Sequence, residues 1–289
     1  MSDVPAASDD TWEGERAQRW VEQSAGLELQ LAPVGELLFA AARLRPGEAV
    51  LDVGCGTGPT TYAAAAMVAP GGRLVGLDVS ATMLDAARSA DSAGGRTSTP
   101  IEWVAADATT WPGAAASFDV VISRFGVMFF ADVASAFANL ARMTAAEGRL
   151  AMVVWPRRSE SEIFEVPLAA ALRALAGADV AVEEPPPDQG PFSLSDRAGV
   201  TTMLHASGWA DVEWAPHDLS LAVGGGLAPA AAAEASMAVG PARIIVADID
   251  DAATRLVGEA ITQEYEARTD DAGHVVLGAR VVVVTANRA

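Results

Sequence analysis

Three glycines alternate with small residues in Val50-Leu51-Asp52-Val53-Gly54-Cys55-Gly56-Thr57-Gly58, directly after an apolar run. A turn built this way lets a ligand touch backbone where side chains are missing, and such loops cradle nucleotide-like ligands. The loop leaves three ligands open: a dinucleotide, a nucleoside triphosphate, or another adenosine carrier. A dinucleotide fingerprint needs G-x-G-x-x-G. Here the spacing is G-x-G-x-G, and Pro59 follows Gly58. A triphosphate loop ends Gly-Lys-Ser/Thr. The chain has no lysine; all 19 basic residues are arginine.

Three further features follow in order. Asp78, in "GLDVS", stands where an acid of a βαβ unit accepts ribose hydroxyls. Asp107, in "VAADATTW", offers a carboxylate beside the Ala108 amide, a pair suited to an adenine amino edge. The stretch "FDVVISRFGVMFF", Phe118 to Phe130, runs from a strand into an apolar, aromatic loop. In an open α/β sheet, ligands bind outside the carboxyl ends of the strands. All four features fall at such ends.

Other chemistry finds little support. Cys55 has no histidine near it in sequence and suits a small filler in a tight loop. His205, His217 and His274 show no metal-ligand spacing, so no metal site is expected. Tyr62 and Tyr265 fit core packing. No residue stands out as a general base.

The elements needed to hold these groups alternate along the chain. Helical stretches are expected at Thr11–Trp20 and Leu27–Leu44, stopped by Arg45-Pro46-Gly47. Strands are expected at Ala49–Val53, Arg73–Leu77, Ile101–Ala105, Phe118–Ser123 and Arg149–Trp155. Helices fall between them: one opens on Pro59, one is capped by Ser80, and one covers Phe130–Met143. This alternation implies right-handed βαβ units and a parallel sheet. Beyond Trp155, a helix and a proline-rich turn fill Pro156–Ser193, and a helix follows at Ser195–Ser207. Strands at Asp211–Leu221 and Val275–Thr285 flank an alanine-rich helical segment, Leu227–Ala267.

The ordered set "VLDVGCGTG", "GLDVSATML", "AADATTWP" and "FDVVISRFGVMFF" resembles the class I S-adenosylmethionine-dependent methyltransferases. The last motif, with "GPFSLSD" and "VGPARIIV", resembles their small-molecule subgroup of the ubiquinone/menaquinone-biosynthesis type. The resemblance is specific over Arg45–Trp155 and weaker elsewhere. It implies a Rossmann-like α/β fold with a seven-stranded, mostly parallel sheet in the order 3-2-1-4-5-7-6, the last strand antiparallel. It also implies S-adenosylmethionine as cofactor, S-adenosylhomocysteine as product, and in-line methyl transfer to a small molecule.

Position by position, the resemblance puts Gly54, Cys55, Gly56 and Gly58 in the turn under the methionine part of the cofactor. Asp52 orients its ammonium, and Asp78 holds the ribose, with Val79 and Met83 near the adenine. Asp107 and Ala108 hold the adenine edge, and Ser123 and Arg124 line the methionine end. Trp20, Phe125, Phe129, Trp155 and Phe192 face the acceptor, which would be flat and apolar or aromatic. A slight lean to a carbon acceptor follows from the quinone-type likeness; nitrogen and oxygen stay open. Trp12 and Trp20, about two helical turns apart, form a lid or simply pack.

Composition bounds the rest. Residues 1–289 read as one domain: an N-terminal helical cap at 1–44, a cofactor-binding core at 45–155, and the remaining sheet at 156–289 with helical insertions at 156–193 and 227–267. The net charge of −19 disfavours nucleic acid. A single cysteine, an acidic start without an apolar signal core, and no Leu-rich span point to a cytoplasmic protein without a membrane partner. The Leu227–Ala267 segment caps the substrate or builds a homodimer surface; the sequence allows both.

Overall fold

The computed structural model describes residues 12–92 and 98–289, so the acidic start at 1–11 lies outside the described residues. Seven strands form one sheet: β1 (Ala49–Val53), β2 (Arg73–Asp78), β3 (Ile101–Ala105), β4 (Phe118–Arg124), β5 (Thr144–Val154), β6 (Trp209–Ala222) and β7 (Val276–Arg288). Their order is β3-β2-β1-β4-β5-β7-β6. The first five pair in parallel, and β7 runs antiparallel to both β5 and β6. β1 and β4 are buried on both faces, which suits their near-continuous Val, Leu and Ile content.

Helices α2 (Pro59–Met67), α3 (Ala81–Ser92) and α4 (Val133–Met143) make the early crossovers. Each start has a chemical cause. Pro59 opens α2 after Gly58, whose φ is +87°. The Ser80 hydroxyl accepts from the Met83 N–H at 3.2 Å and caps α3. Asp132 caps α4 by accepting from the Ser135 N–H at 3.0 Å. Hence α4 begins after Asp132 rather than at Phe130, and a single 3-10 turn, Val127–Phe129, precedes it.

The N-terminal helix differs from expectation. One continuous helix, α1 (Gly14–Ala42), replaces the two expected stretches. Gly26 lies within it at a close-packing site, where a Cβ would meet the Gly224 carbonyl oxygen at 3.1 Å. Length and hydropathy alone would let α1 cross a bilayer. In this fold its Val34, Leu38 and Ala42 join the core of the sheet.

Beyond β5 come α5 (Glu162–Gly177), α6 (Arg197–Ala206), α7 (Pro229–Ala238), α8 (Pro241–Ala247) and α9 (Asp251–Glu266). The alanine-rich segment is thus three helices, with breaks at Val239-Gly240 and Asp248–Asp250. The two insertions share a second hydrophobic cluster. Leu168, Ala171 and Leu175 of α5 meet Ala232 and Ala233 of α7, Ile245 of α8, and Val257, Ile261 and Tyr265 of α9.

Candidate active site

The β1 loop and the β4 loop touch backbone to backbone. Gly54 has φ +67°, and a Cβ on it would lie 2.5 Å from the Gly126 Cα. Gly126 is equally confined, since its Cβ would lie 2.5 Å from the Val53 carbonyl oxygen. Two strand ends can approach this closely only because both residues lack side chains. Ser123 braces the same junction: its hydroxyl donates to the Val53 carbonyl at 2.8 Å and accepts from the Gly126 N–H at 3.2 Å.

Two carboxylates lie under and beside the loop. Asp52, on β1, is buried, and the Thr61 hydroxyl donates to it at 2.7 Å. Burial pushes its pKa up to about 7; the Thr61 bond and the Arg124 charge oppose that rise, and Asp78 adds to it. Asp78 ends β2. Its two oxygens accept from the Gly56 N–H at 2.8 Å and the Ser80 N–H at 2.9 Å. Burial raises its pKa despite these bonds. Burial also raises the Cys55 thiol well above its usual value, so it is no ready nucleophile.

One cavity of about 810 Å³ runs from this loop to an aromatic box. Asp52, Gly54, Cys55, Gly56, Asp78, Val79, Met83, Ala108 and Arg124 line its first part. The box is built by stacking. Phe125 lies parallel to Trp155 with centroids 4.4 Å apart, Phe164 stands edge-on to Trp155 at 4.8 Å, and Phe192 edge-on to Phe164 at 5.1 Å. Phe125 has φ +66°, a conformation that costs about 1–3 kcal/mol for a residue with a side chain. On the α1 side, Trp12 packs edge-on to Trp20 at 5.5 Å and to Phe129 at 4.8 Å, and all three line the cavity.

Three sequence candidates do not line the cavity. Ser123 is fully buried and spent on the brace. Gly58 packs away from it, where a Cβ would meet the Trp103 ring at 2.5 Å. Asp107 is exposed and accepts from the Thr109 N–H at 2.7 Å, while its neighbours Ala106 and Ala108 form the wall. Arg124 lines the cavity but turns to α1, where it pairs with Glu28 and donates to the Leu31 carbonyl at 3.4 Å.

Several partners carry no signal in the sequence. Thr61 carries no motif and is found only through Asp52. Glu13 accepts from the Ala81 N–H at 2.9 Å and holds the start of α1 against α3. Phe164 and Arg243 come from the insertions and reach the cavity only through tertiary packing.

These residues fit an adenosyl amino acid with a cationic head. Asp52 is a buried carboxylate facing a cavity, with one hydroxyl partner, so a bound ammonium would compensate its desolvation. Val79 is an apolar side chain left 50% exposed beside Asp78, which a flat ring would cover.

Comparison with known proteins decides the family. Residues 50–148 match a methyltransferase domain. The chain is 31% identical over 196 residues to nocamycin O-methyltransferase of Saccharothrix syringae, covering 65% of this chain and 69% of that protein. It is 32% identical over 184 residues to demethylmenaquinone methyltransferase of Mycobacterium sp. (strain KMS), covering 61% and 73%. The chain belongs to the S-adenosylmethionine-dependent methyltransferases. Among solved structures, YcgJ from Bacillus subtilis superposes with a TM-score of 0.56 at 17% identity, covering 89% of this chain and 98% of that one. That likeness is one of fold. The methyltransferase uses S-adenosylmethionine as its cofactor and is of the small-molecule type.

Proposed function

We propose that this methyltransferase binds its cofactor along the glycine loop and transfers the methyl group to a flat, apolar metabolite held in the aromatic box. The observation that carries the reading is the single cavity joining the two. The cofactor supplies a methyl group already activated on a sulfonium. What the chain adds is position and dryness. Asp52 takes the ammonium, Asp78 the ribose, Val79 and Met83 the faces of the adenine, and Ala108 its edge, with the Asp107 side chain standing outside the wall. Phe125, Trp155 and Phe192, with Phe129 and Trp20 opposite, orient the acceptor in line and exclude water. The chain then acts as one domain, with α1 and the joined insertions as its cap. The net charge of −19 supports a small acceptor over a polyanion.

One relative is named for methylation on oxygen, and the other is named for demethylmenaquinone without a receiving atom. The choice among carbon, nitrogen and oxygen therefore falls to the residues around the acceptor.

Isothermal titration with S-adenosylmethionine tests the roles. Asp78→Ala should weaken binding by about tenfold to a hundredfold, the worth of hydrogen bonds to a charged group. Asp107→Ala should weaken it less, because the Asp107 side chain stands outside the wall. Wild-type affinity in Asp78→Ala would remove the ribose assignment.

A further inference from the structure

The acceptor end of the cavity has an unusual ionic make-up. Among the described residues, no histidine, lysine or tyrosine lines it. Three of its carboxylates are committed, Asp52 to Thr61, Asp78 to the Gly56 and Ser80 amides, and Glu28 to Arg124; the fourth, Asp248, is exposed at the C-terminal end of α8. Tyr265 comes near through Ser236, whose hydroxyl lies 2.7 Å from the phenol. Burial pushes that phenol up to about 12, so it keeps its proton at neutral pH. Hence no buried side chain of the wall is left free to take a proton from the acceptor.

The cations differ in kind. Arg124 is paired with Glu28, Arg158 with Glu165 and Glu184, and Arg19 with Glu15. Arg16 lies over the Trp12 ring, 3.9 Å from its centroid. Arg243 is half-buried on α8 and lines the cavity, yet its guanidinium has no hydrogen-bond or ion-pair partner among the described residues. It sits just past the Gly240 corner, which lies against Phe164 of the box: a Cβ on Gly240 would touch that ring at 3.9 Å. Beside it, Ile244 is a large apolar side chain left 54% exposed. A guanidinium with open donors next to uncovered apolar surface is the complement of an apolar oxyanion.

We infer that the acceptor is an organic acid that enters as its oxyanion, is held by Arg243, and is methylated on oxygen with no general base from the protein. This rests on the proposed function. The balance is simple. An oxygen lone pair of the anion forms the new O–C bond as the C–S bond breaks, and that electron pair stays on sulfur. Anion and sulfonium become two neutral groups, and no proton is released. A phenol, amine or amide nitrogen would instead have to lose a proton in a wall without a free buried base. The low-polarity box favours this, because neutralising opposite charges is easiest where water is excluded. The oxyanion is that of a carboxylic acid or of an acidic enol.

The test is direct binding to the full-length protein saturated with S-adenosylhomocysteine, using 2-naphthoate, 2-naphthamide and 2-naphthol as probes. The expected result is that naphthoate binds at least tenfold more tightly than the amide or the naphthol. Arg243→Ala should erase that preference, Arg243→Lys should keep part of it, and S-adenosylhomocysteine affinity should be unchanged in both. Equal binding of amide and acid, retained preference in Arg243→Ala, or no naphthoate binding at millimolar concentration overturns the inference. Failure of S-adenosylhomocysteine itself to bind strikes at the proposed function instead. A mass-spectrometric panel of aromatic acids, acidic enols, phenols and amines adds turnover. Methyl gain confined to the acids and enols supports the inference, and equal gain on amines overturns it. Mild hydroxide cleaves a methyl ester and leaves an enol ether, which separates the two sources.

Discussion

Asp52 sits at the point where fold stability and cofactor binding oppose each other. Its pKa rises from 3.8 to about 7 because burial penalises the charged form. The folded state therefore holds a proton that the unfolded state has lost above about pH 4. The group's contribution to stability is full below pH 4 and is lost as pH rises through 7, up to about 4 kcal/mol. Urea midpoints of the free protein should thus fall between pH 5 and 8, and Asp52→Asn should flatten that fall. Ligand binding runs the other way. A cationic ammonium favours the carboxylate, so calorimetric affinity for S-adenosylhomocysteine should rise from pH 6 to 8 and level off. An affinity that declines over that interval would remove Asp52 from the ammonium site. Gly54→Ala should act differently, because its Cβ would lie 2.5 Å from the Gly126 Cα at a φ of +67°. The two loops must part, and cofactor affinity should drop at every pH.

At the scale of elements, α1 is fastened by two of its own side chains and by Glu13 at its N-cap. Glu28 pairs with Arg124, the Gln30 amide oxygen accepts from the Gly224 N–H at 2.8 Å, and Glu13 caps α3. Glu28→Ala leaves the largely buried Arg124 without its carboxylate. The cost should be about 1–2 kcal/mol, below that of a fully buried pair because Glu28 is partly exposed. Amide exchange along α1 should speed up and S-adenosylhomocysteine should dissociate faster, both readable by hydrogen exchange and stopped flow. Unchanged exchange in α1 would mean that the ion pair does not fasten it. Such clasps were not legible in the sequence, since Glu28 and Arg124 stand 96 residues apart and neither belongs to a motif of the other. The local code was legible where one strand and its turn carry it. Ala49–Val53 and Ile101–Ala105 were read with the observed bounds, because apolar runs closed by turn residues need no tertiary partner. The two stretches expected in place of α1 differ in polarity, Thr11–Trp20 polar and Leu27–Leu44 apolar, and the helix runs unbroken between them past Gly26, which packs against Gly224. The glycine loop and Asp78 were visible by their order, whereas the spent hydroxyl of Ser123 and the outward Asp107 depend on packing that spacing does not encode.

At the scale of the whole molecule, two hydrophobic clusters divide the labour. One follows the sheet and includes Leu51, Val121 and Ile122; the other joins the two insertions through Leu168, Ile261 and Tyr265. The cofactor half of the cavity rests on the first, while Phe164 and Arg243 are carried on helices that pack in the second. Removing buried methyl groups costs about 2–5 kcal/mol wherever the site cannot collapse. The location of that loss should decide which function suffers. Ile261→Ala should accelerate amide exchange in α5, α7 and α9 while β1 and β4 keep their protection, with S-adenosylhomocysteine affinity within about twofold of wild type. Leu51→Ala should do the reverse, lowering cofactor affinity and protection across the sheet. If Ile261→Ala instead loosens β1 and β4 equally, the two clusters unfold as one unit, and the cap cannot open independently of the cofactor site. Independent opening is what an enclosed acceptor box needs. Its aromatic walls shut out water during transfer, and the methylated product must still leave.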